Sequence, residues 1–273
     1  MDLENVIKIV MDRSIPFNIL STFFSHLKKI TKEEVFLRWP IHLNGDEQIV
    51  FNEWLKRYDN GEPVSKIVEL KEFYSLSFFT NEYTLDPRPE SELIIDAALK
   101  YTLPGPRILD LGTGTGCLIV TLLKMMTNAT GCAVDVSKEA LQICEKNAIQ
   151  HGVHDKLTFI HSDWLSNVEK KKFDVIVCNP PYIEKDEIID EGASFDPPLA
   201  LYGGIKVYPS ILQSLTPYLA PGGIIVFEVG YKQMEHVISL AHSFGFQVVQ
   251  VYKDLQGYER CVVLKTSSYI RFL

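Results

Sequence analysis

The sequence predicts an α/β fold: a seven-stranded, mostly parallel sheet covered by helices, preceded by a small helical domain. Three observations lead there. From Arg107 onward, short apolar β-prone runs alternate with amphipathic helical segments, the pattern of a parallel sheet with helices on both faces. Runs such as Gly223-Ile224-Ile225-Val226-Phe227 are apolar without alternation, as strands buried on both sides must be. Residues 1–70, by contrast, place apolar side chains at spacings of three and four with no strand-like stretch.

In chain order, residues 1–70 read as the helical domain. Val6, Ile7, Ile9 and Val10 begin an apolar face, followed by Leu20, Phe23, Phe24 and Leu27. Thr31 before Lys32-Glu33-Glu34 is an expected N-cap with acids in the first turn. Phe51, Trp54, Leu55 and Tyr58 form a further stripe that Asn60-Gly61 closes. Residues 71–89 change character: the aromatic pairs Phe73-Tyr74, Phe78-Phe79 and Tyr83-Thr84 predict a hairpin within 72–85. Asp86-Pro87-Arg88-Pro89-Glu90 then forms a stiff connector, either an interdomain hinge or a cover over the cleft of the second domain; the sequence leaves both open. Residues 90–273 form the α/β domain. Its strands are expected at 107–111, 131–136, 157–161, 173–178, 223–229, 246–252 and 260–265, and its helices near 90–101, 116–126, 138–150, 206–219 and 231–243.

Composition narrows the function classes. The 273 residues are 46% hydrophobic, enough for a large core and one to two domains. The five cysteines, at 117, 132, 144, 178 and 261, are scattered without a Cys-x-x-Cys pair, so neither a disulfide framework nor a zinc site is expected. His151 and His154 lack the cysteine or acid cluster that a metal site needs. No apolar run approaches the ~20 residues of a membrane span. Met1-Asp2-Leu3-Glu4 carries acids where a secretory signal carries bases, so the expected location is cytoplasmic. A formal net charge of −8 speaks against direct nucleic-acid binding, while leaving room for a basic protein partner or a cationic cofactor.

Two stretches carry the chemistry. In Phe173-Asp174-Val175-Ile176-Val177-Cys178-Asn179-Pro180-Pro181-Tyr182-Ile183 a buried strand ends in two prolines that cannot continue the ladder. The result is a rigid turn presenting an amide, bare carbonyls and an aromatic ring at the sheet edge where open α/β folds bind ligands. Upstream, Ile108-Leu109-Asp110-Leu111-Gly112-Thr113-Gly114-Thr115-Gly116 is a strand, a Gly-rich turn and a helix start. Its G-x-G-x-G spacing differs from the dinucleotide fingerprint. Asp110 would repel a pyrophosphate but could hold an ammonium group. Asp135, ending the next strand, is placed to accept ribose hydroxyls, with Ser137 capping the following helix. Asp163 and Trp164, after the third strand, could flank a purine.

This ordered set resembles the class I S-adenosylmethionine-dependent methyltransferases, and Asn179-Pro180-Pro181-Tyr182 is similar to the motif of amino-methyltransferases. The helical domain, Gly61-Glu62-Pro63-Val64, Lys71-Glu72-Phe73-Tyr74, Pro87-Arg88-Pro89-Glu90, Ala200-Leu201-Tyr202-Gly203-Gly204 and Lys253-Asp254-Leu255-Gln256-Gly257 together resemble the HemK/PrmC family. These enzymes methylate the side-chain amide of the glutamine in the Gly-Gly-Gln motif of class 1 translation release factors. The resemblance implies a Rossmann-like fold, S-adenosyl-L-methionine as cofactor with S-adenosyl-L-homocysteine as product, class 1 release factors as partners, a monomer, and no metal. It implies cofactor binding by Asp110, Gly112, Thr113, Gly114, Thr115, Gly116, Asp135, Asp163, Trp164 and Asn179. Substrate would be held by Asn179, Pro180, Pro181 and Tyr182, with Asn179, Pro180 and Tyr182 catalytic. Asn179 would offer its side-chain oxygen, Pro180 its carbonyl, and Tyr182 a ring to pack on the amide. Arg88 is expected near the cleft without a catalytic role; Glu228 either faces substrate or is a structural strand-end acid. The helical domain and hairpin would dock the release factor.

The sequence departs from the family pattern at Asp86, where Ile or Val is usual, at Ser91, where Thr is usual, and in a shortened loop after Gly204. Alternatives are methylation of a ribosomal-protein glutamine, DNA adenine methylation, a non-catalytic cofactor-binding module, and a nucleotide-dependent oxidoreductase. The acidic N-terminal region, the intact Asn-Pro-Pro-Tyr turn, and Asp110 with the glycine spacing weigh against the last three in turn.

Overall fold

The computed structural model describes residues 15–267. The chain divides into two compact units. One comprises the described residues up to Leu70 together with Asp190–Phe195; the other comprises Lys71–Ile189 and the described residues from Asp196 onward. The return of 190–195 to the first unit departs from the expected boundaries: a short segment between two Pro-containing stretches carries no sequence signal for the partner it packs on.

The first unit holds α1 (Phe17–Lys28), α2 (Lys32–Arg38), α3 (Gly45–Asp59) and α4 (Val64–Val68). Leu20, Phe23, Phe24, Phe51 and Leu55 are buried in its core. Thr31 and Asn44 begin α2 and α3 with capping boxes: each side chain accepts the N–H of Glu34 or Glu47, whose carboxylate accepts the cap's own N–H. The apolar face expected at Val6, Ile7, Ile9 and Val10 lies outside the described residues.

A hairpin, β1 (Leu70–Phe73) and β2 (Leu76–Phe79), follows. It starts and ends earlier than the aromatic pattern predicted. Tyr74 and Ser75 make the turn at φ 50° and 59°, a conformation uncommon for non-Gly residues. Tyr74 is held: its N–H donates to Glu92 at 2.8 Å and its hydroxyl to Asp96 at 2.9 Å. Tyr83-Thr84 is no strand. It sits in a turn closed by Thr84 N–H to the Asn81 carbonyl.

The second unit contains α5 (Glu92–Tyr101), β3 (Arg107–Leu111), α6 (Cys117–Met125), β4 (Thr130–Asp135), α7 (Lys138–Gln150), β5 (Leu157–His161), β6 (Phe173–Cys178), α8 (Pro198–Leu201), α9 (Val207–Leu215), β7 (Leu219–Glu228), α10 (Met234–Ser243), β8 (Phe246–Lys253) and β9 (Glu259–Thr266). The seven strands run in the order β5-β4-β3-β6-β7-β9-β8. β3 to β7 are parallel, and β9 pairs antiparallel with β7 and β8. Within β3, β6 and β7, successive side chains serve opposite cores: Leu109, Ile176 and Ile225 one face, Ile108, Val175 and Ile224 the other. That is why residues 175–178 and 224–227 read as unbroken apolar runs; the one polar residue inside β3 besides its first is the buried Asp110. β7 begins four residues earlier than expected, because Leu219 pairs with Phe173 before an irregularity at Pro221-Gly222-Gly223 lets the ladder resume at Ile224.

Strand order reverses between β3 and β6, where the chain leaves β3 toward β4 on one side and later returns to β6 on the other. Such a switch point opens a crevice at the carboxyl ends of the two strands. The Gly-rich turn follows β3 and Asn179 follows β6, with Leu111 paired to Cys178. Among the described residues no helix is long and apolar enough to cross a membrane.

Candidate active site

A cavity of about 630 Å³ lies at this crevice, within the range of small-ligand sites. Gly112, Thr113, Gly114, Thr115, Asp135, Asp163, Trp164, Asn179 and Pro181 line it; Asp110, Gly116, Pro180 and Tyr182 do not. The structure thus brings nine of the thirteen sequence-selected residues to one surface; the other four lie close to them in the chain without lining the cavity.

The Gly-rich turn is folded on itself. The N–H groups of Gly112 and Thr113 both donate to the Val134 carbonyl at 2.9 Å, Gly114 N–H to Asp135 Oδ2 at 2.9 Å, and Gly116 N–H to the Thr113 carbonyl at 2.8 Å. Four amides that would cradle a phosphate are therefore already engaged, and a carboxylate occupies the place of an anion. The cavity suits an uncharged nucleoside or a cation better than a polyphosphate. Gly116 has φ 78° and precedes α6; a Cβ there would run into Cys144 Sγ from α7.

Asp110 is fully buried beneath the turn. Its Oδ2 accepts from Thr113 Oγ1 at 2.7 Å, and its Oδ1 has no partner. Burial pushes its carboxyl up to about 7, against the Thr113 hydrogen bond and reinforced by the charge of Asp135. Asp110 meets the cavity only through the turn above it. The side chain of Asp135 accepts Gly114 N–H and, at 2.9 Å, Ser137 N–H. Burial raises its carboxyl too, opposed by these two amides. Each oxygen retains a second lone pair for a ligand hydroxyl. Trp164, at φ 46°, lays its ring edge against Gly112.

The Pro-rich connector covers this cavity: Leu85, Asp86, Pro87, Arg88 and Ser91 line it. It is therefore a wall of the second unit's own cleft. Buried Asp86 accepts from Thr80 Oγ1 at 2.7 Å, while its N–H donates to Asp196 Oδ1 at 3.0 Å. Asp196 Oδ2 pairs with Arg88 Nη2 at 2.5 Å. The guanidinium that borders the cleft is thus neutralised. Asp196 went unnoticed in the sequence, where its one signal was a carboxylate directly before Pro197-Pro198. Asn147 on α7 is a second such residue. Fully buried, it donates to the Thr115 and Phe79 carbonyls and accepts Phe79 N–H, tying the hairpin to the Gly-rich turn.

Around Asn179 the side chains form a chain of hydrogen bonds. Asn179 Nδ2 donates to Ser91 Oγ at 3.0 Å, Ser91 Oγ donates to Glu228 Oε2 at 2.5 Å, and Tyr182 Oη donates to Glu228 Oε1 at 2.9 Å. Glu228 is buried and lies outside the cavity wall. Burial raises its carboxyl, opposed by the bonds from Ser91 and Tyr182. Gln233 Nε2 fixes the Tyr182 carbonyl at 2.9 Å. The Tyr182 ring is therefore held behind the turn, where its hydroxyl meets Glu228. Segment 200–204 braces the turn from the other side: Ile183 N–H donates to the Leu201 carbonyl and Gly204 N–H to that of Ile183. Gly203 must lack a side chain, since a Cβ would overlap the Pro181 carbonyl oxygen.

Comparison with known proteins gives a consistent picture. Residues 89–193 match the family described as "Methyltransferase small domain". The chain is 36% identical over 244 residues to a release factor glutamine methyltransferase of Cereibacter sphaeroides, covering 87% of each chain. It is 33% identical to the corresponding protein of Caulobacter vibrioides, covering 86% of this chain and 84% of that one. It is also 35% identical over 262 residues to a bifunctional methyltransferase of Rickettsia felis, covering 81% of this chain but 50% of that protein. The chain thus spans about half the length of the bifunctional relatives it matches. Among solved structures, a methyltransferase from Pyrococcus furiosus superposes with a TM-score of 0.55 at 18% identity, covering 78% of this chain and 98% of that one. A ribosomal protein L11 methylase from Lactobacillus delbrueckii subsp. bulgaricus gives 0.54 at 17%, covering 72% and 90%. These two likenesses establish the fold.

Proposed function

The chain belongs to the release factor glutamine methyltransferase family, and from that premise we propose that it transfers a methyl group from S-adenosylmethionine to the side-chain amide nitrogen of a glutamine, that of the Gly-Gly-Gln motif, in a class 1 translation release factor. The observation that carries this reading is the pairing of the Asn179 turn with a glycine turn whose amides are already engaged, across one cavity. The first offers amide-holding acceptors; the second favours a nucleoside without phosphates.

The residues present fit the cofactor. Asp135 has lone pairs for the two ribose hydroxyls, Trp164 and the apolar walls offer packing for a purine, and Asp163 can accept from an exocyclic amine. The carboxylates around the turn favour a cation, Asp110 through the buried field of its charge. When bound, S-adenosylmethionine supplies an electrophilic methyl on a sulfonium.

The amide nitrogen of glutamine is a weak nucleophile, because its lone pair is delocalised into the carbonyl. The protein's part is to hold both N–H bonds and aim the nitrogen. Asn179 Oδ1 and the Pro180 carbonyl are the acceptors we assign to this task. Positive charge grows on nitrogen as the new bond forms, so both acceptors bind the transition state more strongly than the ground state. The Tyr182 ring acts from behind, by fixing the turn. Discrimination among proteins falls to the helical unit, which exposes Phe36, Leu37 and Ile49 as apolar anchors for a protein partner. Action on a translation factor implies a cytoplasmic location.

The test is mass spectrometry of purified, unmodified release factor after incubation with this protein and S-adenosylmethionine. One added methyl on the Gly-Gly-Gln glutamine, absent with Asn179→Ala while cofactor affinity is retained, is the expected result. Cofactor binding without methylation of the release factor would overturn the substrate assignment.

A further inference from the structure

The Asn179 amide could be inserted in either of two orientations that differ by exchange of its oxygen and nitrogen, and only one offers an acceptor to a substrate N–H. Nothing in the Asn-Pro-Pro-Tyr turn itself selects it. The selection comes from two residues on other elements. We propose that Glu228 and Ser91 form a one-way hydrogen-bond clamp that fixes the polarity of the Asn179 amide, making both of them positioning residues for methyl transfer. The proposal rests on the functional reading above, in which Asn179 Oδ1 receives the substrate amide.

The direction of the chain is set at its buried end. Against the burial that raises the Glu228 carboxyl, two hydroxyl donors and the Arg260 charge favour its charged form, and a carboxylate accepts and cannot donate. The Glu228 oxygens each face a hydroxyl, Ser91 Oγ at 2.5 Å and Tyr182 Oη at 2.9 Å, so both hydroxyl protons point to Glu228. Ser91 has a single proton. With that proton held by Glu228, its Oγ can only accept from Asn179, which must turn Nδ2 toward it, as observed at 3.0 Å. Oδ1 is then the atom that Asn179 has left for the cavity that it lines. The same carboxylate anchors the Tyr182 end of the turn, so one buried group orients both ends of Asn179-Pro180-Pro181-Tyr182.

The fold makes this possible through register. Cys178 pairs with Phe227 across β6 and β7, so the next residues lie side by side: Asn179 just past the end of β6, and Glu228 as the last residue of β7, still paired with Cys261 of β9. Ser91 reaches between them from the one-turn helix Pro89–Ser91, which α5 continues. Ser91 and Glu228 are both buried, at 2% and 1% exposure, so water does not compete for the clamp. Arg260 acts on Glu228 as a favourable charge and Glu90 as an unfavourable one.

Ser91→Ala and Glu228→Gln break the clamp at its two links, and Ser91→Thr keeps the hydroxyl. A glutamine can accept from only one of the two hydroxyls and presents N–H to the other. The experiment measures kcat and KM for release-factor methylation, cofactor affinity by calorimetry, and the Asn179 side-chain amide resonances by NMR. Ser91→Ala and Glu228→Gln should each lower kcat roughly 10- to 100-fold, with KM and cofactor affinity within about threefold of wild type. Ser91→Thr should restore kcat, and the double variant should be no slower than the worse single one, because both act through one chain. In wild type the Asn179 NH2 proton bonded to Ser91 should be shifted downfield and slow to exchange with solvent, and Ser91→Ala should move that resonance upfield and speed its exchange. Near wild-type kcat in Ser91→Ala, an equal defect in Ser91→Thr, or an unchanged NH2 signal would each overturn the clamp. If wild-type protein binds cofactor but leaves the release factor unmethylated, the functional reading fails instead, and the NMR comparison alone decides the clamp.

Discussion

Replacing Asp110 with asparagine should make the stability of this protein less dependent on pH, and the size of the effect follows from burial. In the folded chain the carboxyl is displaced from its ordinary value near 3.8 to about 7, a difference equivalent to about 4 kcal/mol at most. The sign is set by proton count. Between about pH 4 and pH 7 the unfolded chain has lost this proton and the folded chain keeps it, so stability falls as pH rises through that window and is level above it. Asparagine cannot ionise. Its oxygen can still accept from Thr113 Oγ1, and its NH2 would take the place of Oδ1, which has no partner now. Any cost of that exchange is the same at every pH. Urea unfolding of both proteins at pH 4.5 and pH 8 gives four free energies. The variant should gain on wild type by about 2–4 kcal/mol between the two conditions. Asp135 and Glu228, whose carboxyls are also raised, titrate in both proteins and largely cancel. A stability difference that is the same at pH 4.5 and pH 8, or a variant that loses ground to wild type between pH 4.5 and pH 8, would refute the argument that Asp110 is charged at the expense of the fold.

Two further predictions concern the walls of the cavity. Gly203→Ala would press a methyl group against the Pro181 carbonyl and should cost about 1–3 kcal/mol in a thermal melt; displacing the turn should also slow methyl transfer roughly tenfold or more, and unchanged values of both would show that the turn is not held from this side. Asp135→Asn leaves one acceptor where the N–H groups of Gly114 and Ser137 converge, so S-adenosylmethionine affinity measured by calorimetry should fall about 10- to 100-fold; an unaltered Kd would remove Asp135 from the cofactor site.

Much of this protein was legible locally. Proline cannot pair in a ladder, so the end of β6 was visible at Pro180; alternation of apolar runs with amphipathic segments marked all seven strands of the sheet. Thr31 declared itself as a cap because an N-cap needs a side-chain acceptor and nothing else nearby. The glycine turn and the acids at successive strand ends were readable for the same reason: the backbone and chemistry that they require are determined within a few residues.

The tertiary structure decided what depends on partners far away in sequence. The hairpin began early because Tyr74 is held in its turn by α5, contacts 18 and 22 positions away that no turn propensity encodes. Asp110 read as a cavity acid, but a strand-end side chain points up or down with the pleat, and here it points under the turn. Tyr182 read as a ring for the substrate, yet its hydroxyl is claimed by Glu228, 46 positions on. Asn179 was recognisable by type, whereas the direction of its amide was not. That direction follows from Ser91 and Glu228, 137 positions apart, which meet because the register of β6 with β7 and the start of α5 bring them to one buried point. Local rules fix which groups a segment can offer; only the packed sheet fixes where each group points and what it touches.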